Sequence, residues 1–180
     1  CIYHRLPGIQ NNLRQSHIFP GVSLVLLDSV DVSILTELQD NGRLTNAELA
    51  ERVGLSPSAC HRRVKTLEGS GIVDRYVAIL SEAALGRGIT VYVTVTLDNQ
   101  KHDTLQHFEA AVQAVPEVME CYLMSGEADY LVRVLVRDAN DYERIHREVL
   151  SSLPGVARLM SSFAIRRVFS RTNLPVPNEV

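Results

Sequence analysis

Two helix-start signals stand eleven residues apart in this chain, at Thr45 and Ser56, with a glycine between them at Gly54. That spacing admits little except two short helices joined by a tight turn. Thr45 and Glu48 have the Thr-x-x-Glu spacing of a capping box, in which hydroxyl and carboxylate each satisfy a backbone N–H at a helix start. A helix is therefore expected from near Asn46, with Ala47, Leu49, Ala50 and Val53 placing apolar groups on one side. Gly54 ends it, because glycine enters the left-handed conformation without steric cost. Ser56-Pro57 then restarts the chain, serine as N-cap and proline at the first helical position, where its missing N–H costs nothing. Two capped helices about a one-glycine turn make a helix-turn-helix pattern.

The second of these helices divides by face. Cys60, Val64 and Leu67 fall at i, i+4 and i+7, an apolar stripe for the protein interior. Ser58, His61, Arg62 and Lys65 form a polar, cationic stripe, flanked by Arg63 and Thr66 and preceded by Ser56. Guanidinium and ammonium groups suit guanine edges and phosphates in a major groove, and short hydroxyls suit backbone oxygens. Alone, such a stripe reads more readily as a solvated helix face. Its place in a capped helix-turn-helix reverses that reading, and double-stranded DNA becomes the expected partner. The formal net charge is −3, so no bulk basic signal supports this. A small reading head needs only local charge, and Arg62, Arg63 and Lys65 meet no acid between Ser56 and Leu67.

Upstream, Val30, Ile34, Leu35 and Leu38 share one helical side, and Asn41-Gly42 closes that helix. With Leu49, Val53, Val64 and Leu67 they suffice for a small three-helix, winged-helix-like core. Residues 1–27 show no helical or strand period and read as a poorly ordered extension; the chain opens on Cys1, which is compatible with a fragment or with translated upstream sequence. After Gly71, the run Ile72–Leu80 is β-branched and aromatic and reads as a strand, followed by a hinge over Ser81–Gly88.

Beyond the hinge, Val91, Val93, Val95 and Leu97 alternate with Thr90, Tyr92, Thr94 and Thr96, which predicts a strand with two different faces. Leu105, Phe108, Val112 and Val115 mark a helix ending before Pro116. Strands are expected over Val118–Met124 and Tyr130–Val136. Tyr142, Ile145, Val149 and Leu153 mark a second helix stopped by Pro154-Gly155, and a long strand over Val156–Phe169 closes the domain. The order β-α-β-β-α-β is the ferredoxin-like arrangement, so the fold class is α+β: a three-helix winged helix-turn-helix followed by a ferredoxin-like sandwich. The sheet face away from the helices invites a second subunit, and a homodimer at least is expected, with larger homo-oligomers allowed.

At 46% hydrophobic and 22% charged residues, the chain has the composition of an ordinary soluble protein. The nearest candidate for a membrane span, Val22–Leu27, falls far short of the ~18 residues one requires. Cys1, Cys60 and Cys121 are an odd set without paired spacing, which fits a reducing compartment, and a cytoplasmic location is expected. Cys60 reads as a small buried hydrophobe. His102 and His107 stand five apart, on different sides of a helix, so no metal site is expected. Arg166 and Arg167 read as surface ion pairs. No nucleophile–base–acid set and no phosphate loop is visible beyond the weak Gly86-x-Gly88, so neither enzyme activity nor a cofactor is expected.

The chain resembles the Lrp/AsnC transcription regulators over roughly Leu27–Phe169. The signature is LD..D..IL at Leu27–Leu35, then T-N-A-E-L-A-E-R-V-G-L-S, and R-V-K-T-L followed by Gly71. The second part is similar to that family's effector-binding module, whose glycine-acid turn is matched by Ser125-Gly126-Glu127-Ala128-Asp129-Tyr130. The resemblance implies paired helix-turn-helix units on operator DNA and small effectors, typically amino acids, bound at subunit interfaces. The expected DNA contacts are Ser56, Ser58, His61, Arg62, Arg63, Lys65 and Thr66.

The expected effector site comprises Met124, Ser125, Gly126, Glu127, Ala128, Asp129 and Tyr130. Glycine lets a ligand approach the backbone, exposed N–H groups can hold a carboxylate, and Glu127 or Asp129 can meet an α-ammonium group. An ordinary hairpin turn fits the same residues. The resulting division is an extension at 1–27, the helix-turn-helix at 28–72, a linker at 73–87, the effector and oligomerisation domain at 88–170, and a tail at 171–180. Amino-acid sensing without DNA, or DNA compaction with little sequence preference, are the competing expectations.

Overall fold

The computed structural model describes residues 26–176, so the extension and the run Val22–Leu27 fall largely outside the described residues. The chain divides into two units, one made of residues up to 77 together with those from 171 onward, the other of residues 78–170.

In the first unit, Asp28 caps α1 (Ser29–Asp40) by accepting from the N–H groups of Val30 and Asp31, and Asp31 returns the bond to the Asp28 N–H. Thr45 and Glu48 form the expected capping box at the start of α2 (Asn46–Arg52). Its end is a Schellman turn: Leu55 N–H donates to the Ala50 carbonyl and Gly54 N–H to that of Glu51, with Gly54 at φ +67°. Ser56 then caps α3 (Pro57–Gly69). Ile34, Leu35, Leu49, Ala50, Cys60 and Leu67 make the buried core where the three helices meet. Cys60 is fully buried there, as expected of a small hydrophobe, and burial raises its thiol pKa.

In the second unit, β1 (Ile89–Leu97), α4 (His102–Gln113), β2 (Val118–Leu123), β3 (Tyr130–Val136), α5 (Ala139–Glu148) and β4 (Val156–Phe163) follow in the expected order. The sheet is antiparallel with strand order β2-β3-β1-β4. Val91, Val93 and Val95 of β1 pair with Val134, Val132 and Tyr130 of β3, and this face is buried with Phe108, Val112, Tyr142 and Ile145 from the helices. The opposite face carries Tyr92 beside Arg133, and the row Tyr122, Leu131, Thr94 and Met160. Arg133 pairs there with Glu120 at 2.8 Å and with Glu82 at 3.5 Å, and Glu82 also takes Arg167, the expected surface pair.

Two expected strands differ. Ile72–Leu80 belongs to no sheet among the described residues, because no strand of the same chain lies alongside it; Val73 packs on the helical core while Ile79 and Leu80 are exposed. The closing strand stops at Phe163 rather than Phe169. Its ladder follows β1 back to Val91 and a last bond joins Ala164 N–H to the Thr90 carbonyl; β1 begins at Ile89, so further residues have nothing to pair with. The second helix also ends earlier than its apolar period suggests: α5 stops at Glu148, and a 3-10 turn at Leu150–Ser152 carries the chain to Pro154.

The α5 start is held by charge. Asp138 caps it by accepting from Asp141 N–H at 2.8 Å, and the Asp141 carboxylate accepts from the Arg137 guanidinium and backbone N–H and from Arg144. The Arg137 side chain first, then its backbone N–H, hold the Asp141 carboxyl far below the ordinary carboxylate range. A depressed folded pKa contributes stability that is present above the unfolded value of about 3.9 and is lost as pH falls below it. Asp141→Asn should therefore destabilise the protein by about 1–2 kcal/mol at neutral pH. Thermal unfolding between pH 7 and pH 2 should show the variant and the native chain converging on the acid side; a pH-independent gap would contradict this account.

Candidate DNA and effector sites

On α3, the stripe that meets the core and the stripe that meets solvent separate as the sequence pattern implies. Cys60 and Leu67 are buried, whereas Ser56, Ser58, His61, Arg62, Lys65 and Thr66 are exposed. Ser56 is committed in part to the cap, its hydroxyl accepting from Ala59 N–H and lying 3.3 Å from that of Ser58. Lys65 pairs with Glu68 one turn on, at 3.1 Å, an exposed contact that a phosphate can displace. The Thr66 hydroxyl donates to the Arg62 carbonyl.

Arg63 stands apart from this face. Its guanidinium donates to Asp28 at 2.8 Å and to Asp31 at 2.7 Å, both at the start of α1. No acid stands between Ser56 and Leu67, as the sequence shows; the acids that Arg63 meets come from the start of α1, more than thirty residues away. The Asp31 N–H first, then Arg63, hold the Asp28 carboxyl below its ordinary value. Two further contacts set the angle between the helices, neither of them evident from spacing. The Asn46 amide donates to the Pro57 carbonyl at 2.8 Å, and Arg52 pairs with Glu37 at 2.9 Å.

In the second unit, Met124 N–H donates to the Asp129 carbonyl and closes the β2–β3 turn. Gly126 takes φ +145°, a conformation that glycine alone adopts without strain, and Ser125, Gly126 and Glu127 are exposed. Asp129 is buried, and its carboxylate accepts from Leu97 N–H at 2.7 Å and from the Gln100 amide at 2.6 Å. It therefore joins the turn to the end of β1 and is occupied by its own chain. Tyr130 is also buried: its ring lies 4.6 Å from that of Phe108 and its hydroxyl donates to Glu109. Burial, then that bond, raise its pKa.

Gln100, which the turn motif did not suggest, stands beside the turn through Asp129. A depression of about 340 Å³ lies between α4 and β2, lined by Glu109, Val112, Val118, Cys121, Leu123 and Tyr130. Burial, then Glu109, push the Cys121 thiol up to about 11, so it is a poor nucleophile at neutral pH. Among the described residues no group of His, Cys, Asp and Glu could hold a metal ion, and no helix is long and apolar enough to cross a membrane.

A capped helix-turn-helix presenting an exposed cationic face, followed by a ferredoxin-like domain with a glycine-acid turn, defines a two-part DNA-binding regulator. Residues 27–74 match the winged helix-turn-helix DNA-binding family, and residues 90–174 match the Lrp/AsnC ligand binding domain. The leucine-responsive regulatory protein of Salmonella typhimurium is 44% identical over 130 residues, which cover 72% of this chain and 79% of that protein. The Bkd operon transcriptional regulator of Pseudomonas aeruginosa is 40% identical over 150 residues, covering 83% of this chain and 98% of that one. Among solved structures, a transcriptional regulator from Neisseria meningitidis in complex with L-Met superposes with a TM-score of 0.79 at 42% identity, over 83% of this chain and 96% of that one. The chain belongs to the Lrp/AsnC family of transcriptional regulators, with a winged helix-turn-helix DNA-binding domain followed by an Lrp/AsnC ligand binding domain.

The two acids of the turn should separate on substitution. Asp129→Ala leaves the buried Leu97 N–H without its acceptor and should cost about 1–3 kcal/mol of stability. Glu127→Ala, at an exposed position, should stay within about 0.5 kcal/mol of the native chain. Chemical denaturation of both variants checks this, and equal stabilities would remove the structural role assigned to Asp129.

Proposed function

We propose that the chain regulates transcription as a homodimer that lays α3 in the major groove, with Arg62, Lys65 and His61 facing base edges and phosphates and Ser56, Ser58 and Thr66 serving backbone oxygens. The observation that carries this reading is the exposure of these side chains on the face opposite the buried Cys60 and Leu67. Arg63 acts as a positioning residue, holding α3 against α1 through Asp28 and Asp31. Two such heads in a symmetric dimer would meet DNA about one turn, ~34 Å, apart and favour a pseudo-palindromic site.

The effector is an amino acid held at the β2–β3 turn. Backbone N–H groups opened by Gly126 would take its carboxylate, and the exposed Glu127 would take its ammonium group. Asp129 shapes that site from below through Leu97 and Gln100, with Met124 and Ala128 at its edges and Tyr130 in the packing beneath. The leucine-responsive relatives and the L-Met complex of the Neisseria regulator support this ligand class. Assembly is supported by the exposed Tyr92, Tyr122 and Met160 on the open sheet face, and larger homo-oligomers remain compatible with it. Such a regulator works in the cytoplasm, where DNA and free amino acids meet.

A gel-shift titration against the chain's own upstream region at moderate salt tests the DNA reading. Arg62→Ala with Lys65→Ala should weaken binding by roughly tenfold or more, since each groove contact is worth ~1–3 kcal/mol. Arg63→Ala should instead lower the unfolding midpoint, with a loss of about 1 kcal/mol. Operator affinity unchanged by the double substitution would sink the assignment of this face. A thermal-shift screen of amino acids should raise the midpoint for at least one of them, the native state gaining about 2.7 kcal/mol at a hundredfold excess over Kd. Glu127→Ala should abolish that shift.

A further inference from the structure

The last described residues, 171–176, do not stay with the sheet domain that precedes them; they belong to the helix-turn-helix unit. The chain leaves that unit at Val77, builds the whole of the second unit over residues 78–170, and returns at Arg171. The returning segment is held at Asn173, Leu174 and Val176. The Asn173 amide donates to the Asp40 carboxylate. Leu174 N–H donates to Gln39 Oε1 at 2.6 Å, and Gln39 Nε2 donates back to the Leu174 carbonyl at 3.1 Å. Val176 packs against the three-helix core.

These contacts have the properties of a binding site. The reciprocal pair through the Gln39 amide copies one rung of an antiparallel ladder, so it recognises the backbone of Leu174, whose side chain is 75% exposed. Pro175 limits Leu174 to extended conformations, which reduces the entropy lost on docking. The receiving surface also needs a partner. The last turn of α1 holds no basic residue and ends on Asp40, a carboxylate at the negative end of the helix dipole. Donation from Asn173 offsets that misplaced charge.

We propose that residues 171–176 are a ligand of the chain's own helix-turn-helix unit, clasped on the last turn of α1, and that the clasp is a second tether between the amino-acid-binding domain and the reading head. With the clasp closed, the head is held through two connections, at 77–78 and at 170–171. With it open, only the first remains.

Hydrogen exchange on the full chain tests the contact. Gln39→Ala, which removes the reciprocal amide, and Leu174→Pro, which removes the donated N–H, should each speed exchange at Gln39, Asp40 and Asn41 by roughly tenfold. Leu174→Ala should leave the rate unchanged, since only the backbone is bound. Unaltered protection in β1 and β3 verifies that each variant is folded. Native exchange rates in both Gln39→Ala and Leu174→Pro would overturn the clasp.

NMR relaxation tests the tether. Head amides should tumble more independently of the sheet domain in Leu174→Pro, and unchanged relaxation would overturn the tethering. Adding the peptide Arg-Thr-Asn-Leu-Pro-Val to a chain ending at Ser170 should restore slow exchange, and failure to do so would count against the site. None of these measurements involves DNA or an effector, so a failed clasp and a failed regulator are told apart by exchange on one side and gel shift on the other.

Discussion

The reading head depends on one charged junction, where Arg63 of α3 meets Asp28 and Asp31 of α1. Asp28 is at once the N-cap of α1 and an ion-pair partner: one carboxylate oxygen accepts from the Val30 and Asp31 N–H groups, the other from Arg63. The same carboxylate thus caps the start of one helix and pairs with another. Cys60 and Leu67 bury the inner side of α3, Arg63 is engaged at its flank, and Arg62 and Lys65 are left on the outer face. A cationic helix face is common; one whose helix is tied to its neighbour by a half-buried arginine is a better candidate for reading a groove.

The effector domain applies the same rule through Asp129. A buried carboxylate is stable only when its oxygens are bonded, and here the Leu97 N–H and the Gln100 amide supply those bonds. The β2–β3 turn is thereby fastened to the end of β1, leaving Ser125, Gly126 and Glu127 as the exposed tip. A ligand at that tip would meet a preorganised backbone, which reduces the ordering cost of binding. The acid exposed at the tip and the acid that fastens the turn are therefore different residues, although they lie two positions apart in sequence.

What could be read from the sequence was local. The Thr45–Glu48 capping box, the Ser56-Pro57 start and the alternation of β1 are written within a few residues, and the structure repeats them almost position by position. What could not be read depends on partners far along the chain. Arg63 finds its acids 35 and 32 residues away, and Asp129 finds Leu97 at 32. β4 has strand-forming residues beyond Phe163 but nothing to pair them with, and Ile72–Leu80 has the composition of a strand without a neighbour. Strand propensity states that a segment can join a sheet, whereas pairing requires an edge, and the edge is a property of the whole fold.

That last mismatch bears on assembly. Ile79 and Leu80 are exposed in the linker, and Tyr92, Tyr122 and Met160 are exposed on the open sheet face. Scattered apolar side chains at a surface need no explanation, but a β-prone segment without a ladder and a sheet face bearing aromatic and thioether groups are the features a second copy satisfies together. In a two-fold dimer each surface meets its own equivalent, so one association can give the linker a strand to pair with and the sheet face a cover. The same symmetry would give the assembly two copies of α3. If such a pair met DNA, sequence discrimination would rise with the second helix, because both half-sites would have to be right at once.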